Sequence, residues 1–124
     1  MADTPEGKVK RWLRTKMKEF YPDALHYAPP GGAFGQAGIP DDMWIIGLPG
    51  SDFGVTLFIE SKAESCEPTP LQWKKLHKIK ANGELAATMI GRDIDKLYTI
   101  KKIVDERLLH LKRLSDELRG TGKA

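Results

Sequence analysis

The sequence has one cysteine, Cys66, and three histidines that are far apart, His26, His77 and His110. One thiol cannot form an intrachain disulfide or a cysteine-based zinc site, and isolated histidines do not indicate one. No apolar run approaches the ~20 residues of a membrane-spanning helix, and the start of the chain lacks the apolar segment of a signal peptide. We therefore expect a cytoplasmic protein with no membrane partner.

The sequence also lacks a strong excess of either positive or negative charge. Charged residues make up 30% of the 124 residues, yet the net charge is only +3, with an isoelectric point near 9.0. This mild basic bias permits a nucleic-acid partner without establishing one. The length favours one domain, and 40% hydrophobic residues can form one modest core.

Two helices are predicted to begin at a Thr-Pro pair, which supplies an N-cap hydroxyl and a proline at the first helical position. The first begins at Thr4 and ends by Pro22, and the second begins at Thr69 and ends at Gly83. Apolar residues recur at steps of three and four in both. The predicted inner positions are Val9, Trp12, Leu13, Met17 and Phe20 in the first helix and Leu71, Leu76 and Ile79 in the second.

Between these helices, residues 28–38 contain two prolines and four glycines and predict a loop. The apolar runs 43–48 and 54–61, separated by the turn sequence PGSD, predict a β-hairpin. Residues 84–91 predict a further strand, and a long helix follows. Its apolar positions are Leu97, Ile100, Val104, Leu111, Leu114 and Leu118. Helices alternating with strands indicate an α/β fold with a mixed sheet.

Polar residues interrupt the predicted hairpin at one end. Asp41 follows Pro40 at the entrance of the first strand, and Glu60 and Lys62 share one face near the exit of the second. In an antiparallel hairpin these two ends are neighbours, so the carboxylates converge beside Lys62. Two adjacent carboxylates both stay ionised at low cost only with a cation between them.

Oxygen ligands suit Mg²⁺ or Mn²⁺, and the backbone carbonyl of Ser61 could add one more. Such an ion lowers the pKa of a bound water and polarises a phosphoryl oxygen. Lys62 could orient that water or stabilise charge on phosphorus. The pattern is typical of phosphodiester hydrolysis, although Glu60 and Lys62 could instead be a surface ion pair.

The motifs GIPDD, FIESKA and NGELAATMIG, with Gln72 between the last two, resemble those of the VRR-NUC family of PD-(D/E)xK nucleases. The resemblance spans roughly residues 4–95. It implies a restriction-endonuclease-like αβββαβ core with a mixed sheet flanked by helices. We assign 1–95 to this core and 96–124 to a C-terminal helix with a short disordered tail. Small members of the family occur in phages and bacteria.

The resemblance also implies residue roles. Asp41 and Glu60 would bind the metal, Lys62 would be the catalytic lysine, and Gln72 would support the site. Glu6 would hold a metal-bound water, with Glu19 as a rival. Asp42 departs from the pattern and could replace Asp41 as the ligand.

Some of these residues also have structural explanations. Gln72 completes a capping box with Thr69, and Glu6 could simply favour the dipole of the first helix.

DNA contacts are expected from the basic first helix and from the second helix, although charge runs are more commonly solvated faces. The glycine-rich loop could let a strand approach closely or act as a flexible linker. The predicted DNA-binding residues are Lys8, Lys10, Arg11, Arg14, Gly32, Lys74 and Lys75.

The family implies metal-dependent DNA cleavage, often of branched DNA. We expect a Mg²⁺- or Mn²⁺-dependent endonuclease that acts on branched DNA such as four-way (Holliday) junctions, with no nucleotide cofactor. The long C-terminal helix could form a homodimer, or it could simply cover the sheet. The alternative function is a non-catalytic DNA-binding or assembly module that keeps the nuclease fold.

Overall fold

A computed structural model describes residues 4–29 and 37–122. The elements are α1 (Pro5–Phe20), β1 (Leu25–Tyr27), β2 (Asp42–Gly47), β3 (Gly54–Lys62), α2 (Pro70–Ala81), β4 (Leu85–Ile90) and α3 (Ile94–Gly122). This is the expected αβββαβ order followed by a long helix, so the predicted fold class is confirmed. Across the described residues, none of the helices is long and apolar enough to cross a bilayer.

Both predicted helix starts are capped as the sequence indicates. The Thr4 hydroxyl accepts a hydrogen bond from the Gly7 amide at 3.0 Å, and the Thr69 hydroxyl accepts one from the Gln72 amide at 3.2 Å. Each cap satisfies an amide that the first helical turn would otherwise leave unpaired.

The four strands form one mixed sheet in the order β1-β2-β3-β4. The pairs β1/β2 and β2/β3 are antiparallel, which confirms the predicted hairpin, and β3/β4 is parallel. Two register pairs matter for the site: Asp42 lies opposite Ile59, and Glu60 lies beside Thr88.

One face of this sheet carries the hydrophobic core. Helix α1 and the first half of α3 pack on it, because their apolar residues and alternate residues of β2 and β3 form one buried cluster. The main members are Val9, Leu13, Met17, Trp44, Leu57, Ile59, Leu97, Ile100 and Val104. The start of α3 therefore belongs to the same core as the sheet.

The second half of α3 differs from its predicted pattern. Leu114 and Leu118 are 39% and 61% exposed, whereas the inward positions are Leu108, Leu111 and the buried Ser115. The inward stripe continues past Val104 in steps of four, three and four, so it reaches 115 instead of 114. The helix ends beside the β2–β3 turn, where Arg119 donates to the Gly50 carbonyl at 2.7 Å.

The loop before β2 is held against α2. Gly38 has φ +82°, and a Cβ there would lie 2.9 Å from the Cγ and carbonyl oxygen of Leu71. Leu71 contacts this loop and is half-exposed, so its predicted place in the inner stripe of α2 is wrong. Leu76 is buried as expected. Pro40 is fully buried. These contacts fix the direction in which Asp41 enters the sheet.

Candidate active site

The acidic and basic side chains predicted to converge do so at the junction of β2 and β3. Since Asp42 lies opposite Ile59, the residue before it, Asp41, lies opposite Glu60. Oδ2 of Asp41 accepts a hydrogen bond from the Ser61 amide at 3.1 Å. The Lys62 ammonium lies 3.7 Å from Oε2 of Glu60. Three side chains from two strands therefore form one cluster.

Glu60 is the least satisfied member of the cluster. It is only 1% exposed, and within the described part of the chain neither of its carboxyl oxygens has a hydrogen-bond partner. Burial and the nearby Asp41 carboxyl raise the pKa of Glu60 to about 8, against the opposing charge of Lys62. A buried carboxyl group left without donors is a position where a cation would be strongly stabilised.

The first turns of α1 complete the cluster. Oε1 of Glu6 lies 3.8 Å from the Lys62 ammonium. The Lys10 ammonium lies 3.2 Å from Oε2 of Glu6 and 3.3 Å from Oδ1 of Asp41. Burial opposes the charge of Lys10, but the carboxylates of Asp41 and Glu6 outweigh burial and raise its pKa. Glu19 is roughly 20 Å further along the helix, so Glu6 is the acidic residue of α1 that reaches this cluster.

The donors fit a hard divalent ion in their chemistry. Asp41 and Glu60 offer carboxylate oxygens, two of them buried and free of hydrogen bonds, which suits Mg²⁺ or Mn²⁺. Across the described residues, however, no three acidic, histidine or cysteine side chains are gathered closely enough to hold a metal by themselves. Lys10 and Lys62 lie among the carboxylates instead.

Asp42 belongs to a different cluster, on the core face of the sheet. It is fully buried, and its Oδ1 contacts Nε of Arg14 at 2.8 Å and Nε2 of His26 at 2.6 Å. The His26 ring stacks on Trp44, with 4.9 Å between centroids. Of the two consecutive aspartates, Asp41 is therefore the one that faces Glu60.

The sequence analysis assigned no role to His26 and predicted Arg14 only as a DNA-binding residue. The signal was available: an aspartate on the buried face of a strand needs basic partners. Lys96 was also missed. Its ammonium donates to Oγ1 of Thr88 at 2.8 Å, and Thr88 is the register partner of Glu60.

Gln72 makes both bonds of the capping box. Besides the amide bond described above, its Oε1 accepts from the Thr69 amide at 2.8 Å. Its supporting role in the site and the ligation by the Ser61 carbonyl stay predictions.

The predicted DNA-binding residues fall into several groups. Lys10 and Arg14 are engaged by Asp41 and Asp42, whereas Lys8, Arg11 and Lys74 are exposed, and Lys75 is half-buried. Gly32 lies outside the described residues. Their contact with DNA stays a prediction.

No family model matches the chain, and no curated protein matches it either. Four chains in solved structures do. One, described as a VRR_NUC domain, gives a TM-score of 0.61 at 19% identity, with coverage of 82% of this chain and 96% of the other. A second, described as a VRR_NUC domain protein, gives 0.56 at 19% identity, with 84% and 90% covered. The chain thus has the fold of VRR_NUC domains, which confirms the resemblance at the level of the fold.

Proposed function

We propose that the chain is a member of the VRR-NUC family and a Mg²⁺- or Mn²⁺-dependent DNA endonuclease. The observation that carries this proposal is the convergence of Asp41, Glu60 and Lys62, with both Glu60 oxygens buried and free of hydrogen bonds among the described residues. Most buried polar side-chain atoms have a hydrogen-bond partner, and a bound cation would supply the contact that Glu60 lacks.

In this proposal Asp41 and Glu60 hold the ion, with the Ser61 carbonyl as a further ligand and Glu6 acting through a water. The ion, when bound, lowers the pKa of water and polarises a phosphoryl oxygen. The Lys62 ammonium, largely buried beside Glu60, orients the attacking water and stabilises negative charge on the phosphate. Gln72 supports the site from α2.

DNA is the proposed substrate because α1 and α2 carry exposed cations and the net charge is +3. We further propose selectivity for branched DNA, with two copies joined through α3 so that two sites act on two strands. Leu114 and Leu118, which lie one turn apart on α3 and are 39% and 61% exposed, support this arrangement.

The test is cleavage of a labelled four-way junction, a linear duplex and a single strand with Mg²⁺, with Mn²⁺ and with EDTA. We expect metal-dependent paired nicks in the junction, reduced about 100- to 1000-fold in Lys62→Ala. Lys102→Ala is a matched control, since Lys102 is an exposed lysine on α3. Cleavage of linear DNA alone would support nuclease activity and contradict the proposed selectivity for junctions.

A second candidate, a non-catalytic DNA-binding module, is favoured by one observation. No group of three metal-binding side chains exists in the described ranges, and Lys10 lies against Asp41. Calorimetric titration with Mn²⁺ distinguishes the two. The endonuclease predicts binding heat that Asp41→Ala removes, whereas the module predicts DNA binding with no Mn²⁺ binding and no cleavage.

A further inference from the structure

Lys10 lies at the centre of the acidic cluster, and its position there suggests a role other than DNA contact. We propose that Lys10 is an internal counter-ion of the active site, one that a divalent ion must displace from Asp41 in order to bind. The inference rests on the proposed metal site. It makes Lys10 a positioning residue that sets the affinity of the site for metal.

The two carboxylates of the site differ in what occupies them. Oδ2 of Asp41 accepts from the Ser61 amide, and Oδ1 contacts the Lys10 ammonium at 3.3 Å. Both oxygens of Glu60, in contrast, have no hydrogen-bond partner among residues 4–29 and 37–122. An ion held by both carboxylates would therefore meet Lys62 at 3.7 Å from Glu60 and, closer, Lys10 at 3.3 Å from Asp41.

Charge decides what happens when such an ion enters. An ion held by Asp41 would lie close to the Lys10 ammonium, which is 3.3 Å from Oδ1. Two cations that close repel strongly in a partly buried site. Lys10 is only 25% exposed on the side chain, so water screens this repulsion incompletely. The ammonium must move for the ion to be held by both carboxylates.

The geometry of α1 allows that movement without moving the helix. The neighbouring Val9 is buried in the core and fixes the backbone, while the four-carbon side chain of lysine is flexible. Lys10 also keeps a second partner, because Oε2 of Glu6 lies 3.2 Å away, one helical turn earlier. The displaced ammonium would thus stay beside Glu6 at the edge of the site.

The test measures Mn²⁺ affinity by calorimetry in wild type, Lys10→Met, Lys10→Arg and Lys18→Met. Methionine keeps the aliphatic side chain and removes the charge, arginine keeps the charge, and Lys18 is an exposed cation at the far end of α1. We expect Lys10→Met to tighten the Kd about three- to tenfold, with the other two variants near wild type. Melting in EDTA should show Lys10→Met lowered by about 3–6 °C, and saturating Mn²⁺ should close that gap.

An unchanged or weaker Kd in Lys10→Met, with wild type still binding Mn²⁺, would overturn the counter-ion role and leave the metal site intact. If neither protein binds Mn²⁺ while the melts show both folded, the metal site and the inference fail together. If Lys10→Met binds and wild type does not, the inference is supported in its strongest form.

Discussion

Asp41, the residue before β2, and Asp42, the first residue of β2, have the same side chain and opposite surroundings. Asp42 is fully buried and is held by Arg14 and His26 on the core face. Asp41 lies on the other face, opposite a carboxyl group that is buried without a hydrogen-bond donor among the described residues. The alternation of a β-strand alone separates the two environments.

The comparison shows that two carboxylates one residue apart can have different charged partners. Around Asp42, Arg14 and His26 compensate the charge at one carboxylate oxygen, while Oδ2 is buried without a hydrogen-bond partner among the described residues. At Asp41, burial and the adjacent Asp41 carboxyl group raise the pKa of Glu60 to about 8, and neither Glu60 oxygen has a hydrogen-bond partner among the described residues. A buried carboxyl group with a raised pKa and no hydrogen-bond partner is a position where a bound cation is expected.

The largest effect is expected from replacing each aspartate with alanine. Asp41→Ala should lower metal-dependent cleavage about 1000-fold, or about 4 kcal/mol in the barrier, and change the free energy of unfolding by less than about 1 kcal/mol. Asp42→Ala should lower the free energy of unfolding by about 3 kcal/mol. That value is at the low end for a broken buried pair, because Arg14 and His26 can reach water. Urea unfolding and junction cleavage measure the two quantities.

Asp42→Asn serves as the control for the second aspartate, since it keeps the shape and an acceptor oxygen while removing the charge. Its loss of stability should be smaller than that of Asp42→Ala. If Asp42→Ala abolishes cleavage while leaving the melting temperature unchanged, the assignment of the two aspartates is reversed.

A smaller effect is expected from Glu60→Gln in the metal-free protein. The folded-state pKa of Glu60 is raised from 4.5 to about 8, so the folded state holds a proton that the unfolded state releases between these values. The wild type should therefore lose stability as the pH rises through this window. Glutamine carries no such proton, so Glu60→Gln should match wild type near pH 5 and become progressively more stable than wild type as the pH rises towards 9.

Thermal melts in EDTA at several pH values check this, with Glu64→Gln as the control at an exposed carboxylate on the same segment. A pH-independent difference between wild type and Glu60→Gln would mean that Glu60 is already ionised in the folded metal-free protein.

Much of the fold and of the cluster could be predicted from sequence because local signals were strong. The Thr-Pro caps fixed two helix starts, and β-strand alternation placed Glu60 and Lys62 together. The short strand β1 had no such signal, since its three residues are all exposed. The predicted inward stripe of α3 is right at Leu97, Ile100, Val104 and Leu111 and wrong at Leu114 and Leu118. Beyond Val104, alternative steps of three and four fit the sequence equally well.

The contacts of Lys10 and His26 could not be predicted from the sequence, because they depend on how the helices and strands pack together. In the sequence, Lys10 is one of several cations on a basic helix. Only the packing of α1 against the sheet brings it to Asp41. His26 lies next to the sheet edge in a segment with no apolar pattern, and its role depends on the β1/β2 register, which pairs it with Trp44.

The smallest expected effect is that of His26→Phe. Phenylalanine keeps an aromatic ring to stack on Trp44 but cannot contact Oδ1 of Asp42, which His26 approaches to 2.6 Å. Arg14 still compensates the carboxylate, so the free energy of unfolding should fall by only about 1 kcal/mol. A double-mutant cycle with Asp42→Ala separates the two contributions: the cost of His26→Phe should vanish once Asp42 is absent. An equal cost in both backgrounds would show that His26 stabilises the edge strand through its ring alone, and that Arg14 is the only partner that Asp42 needs.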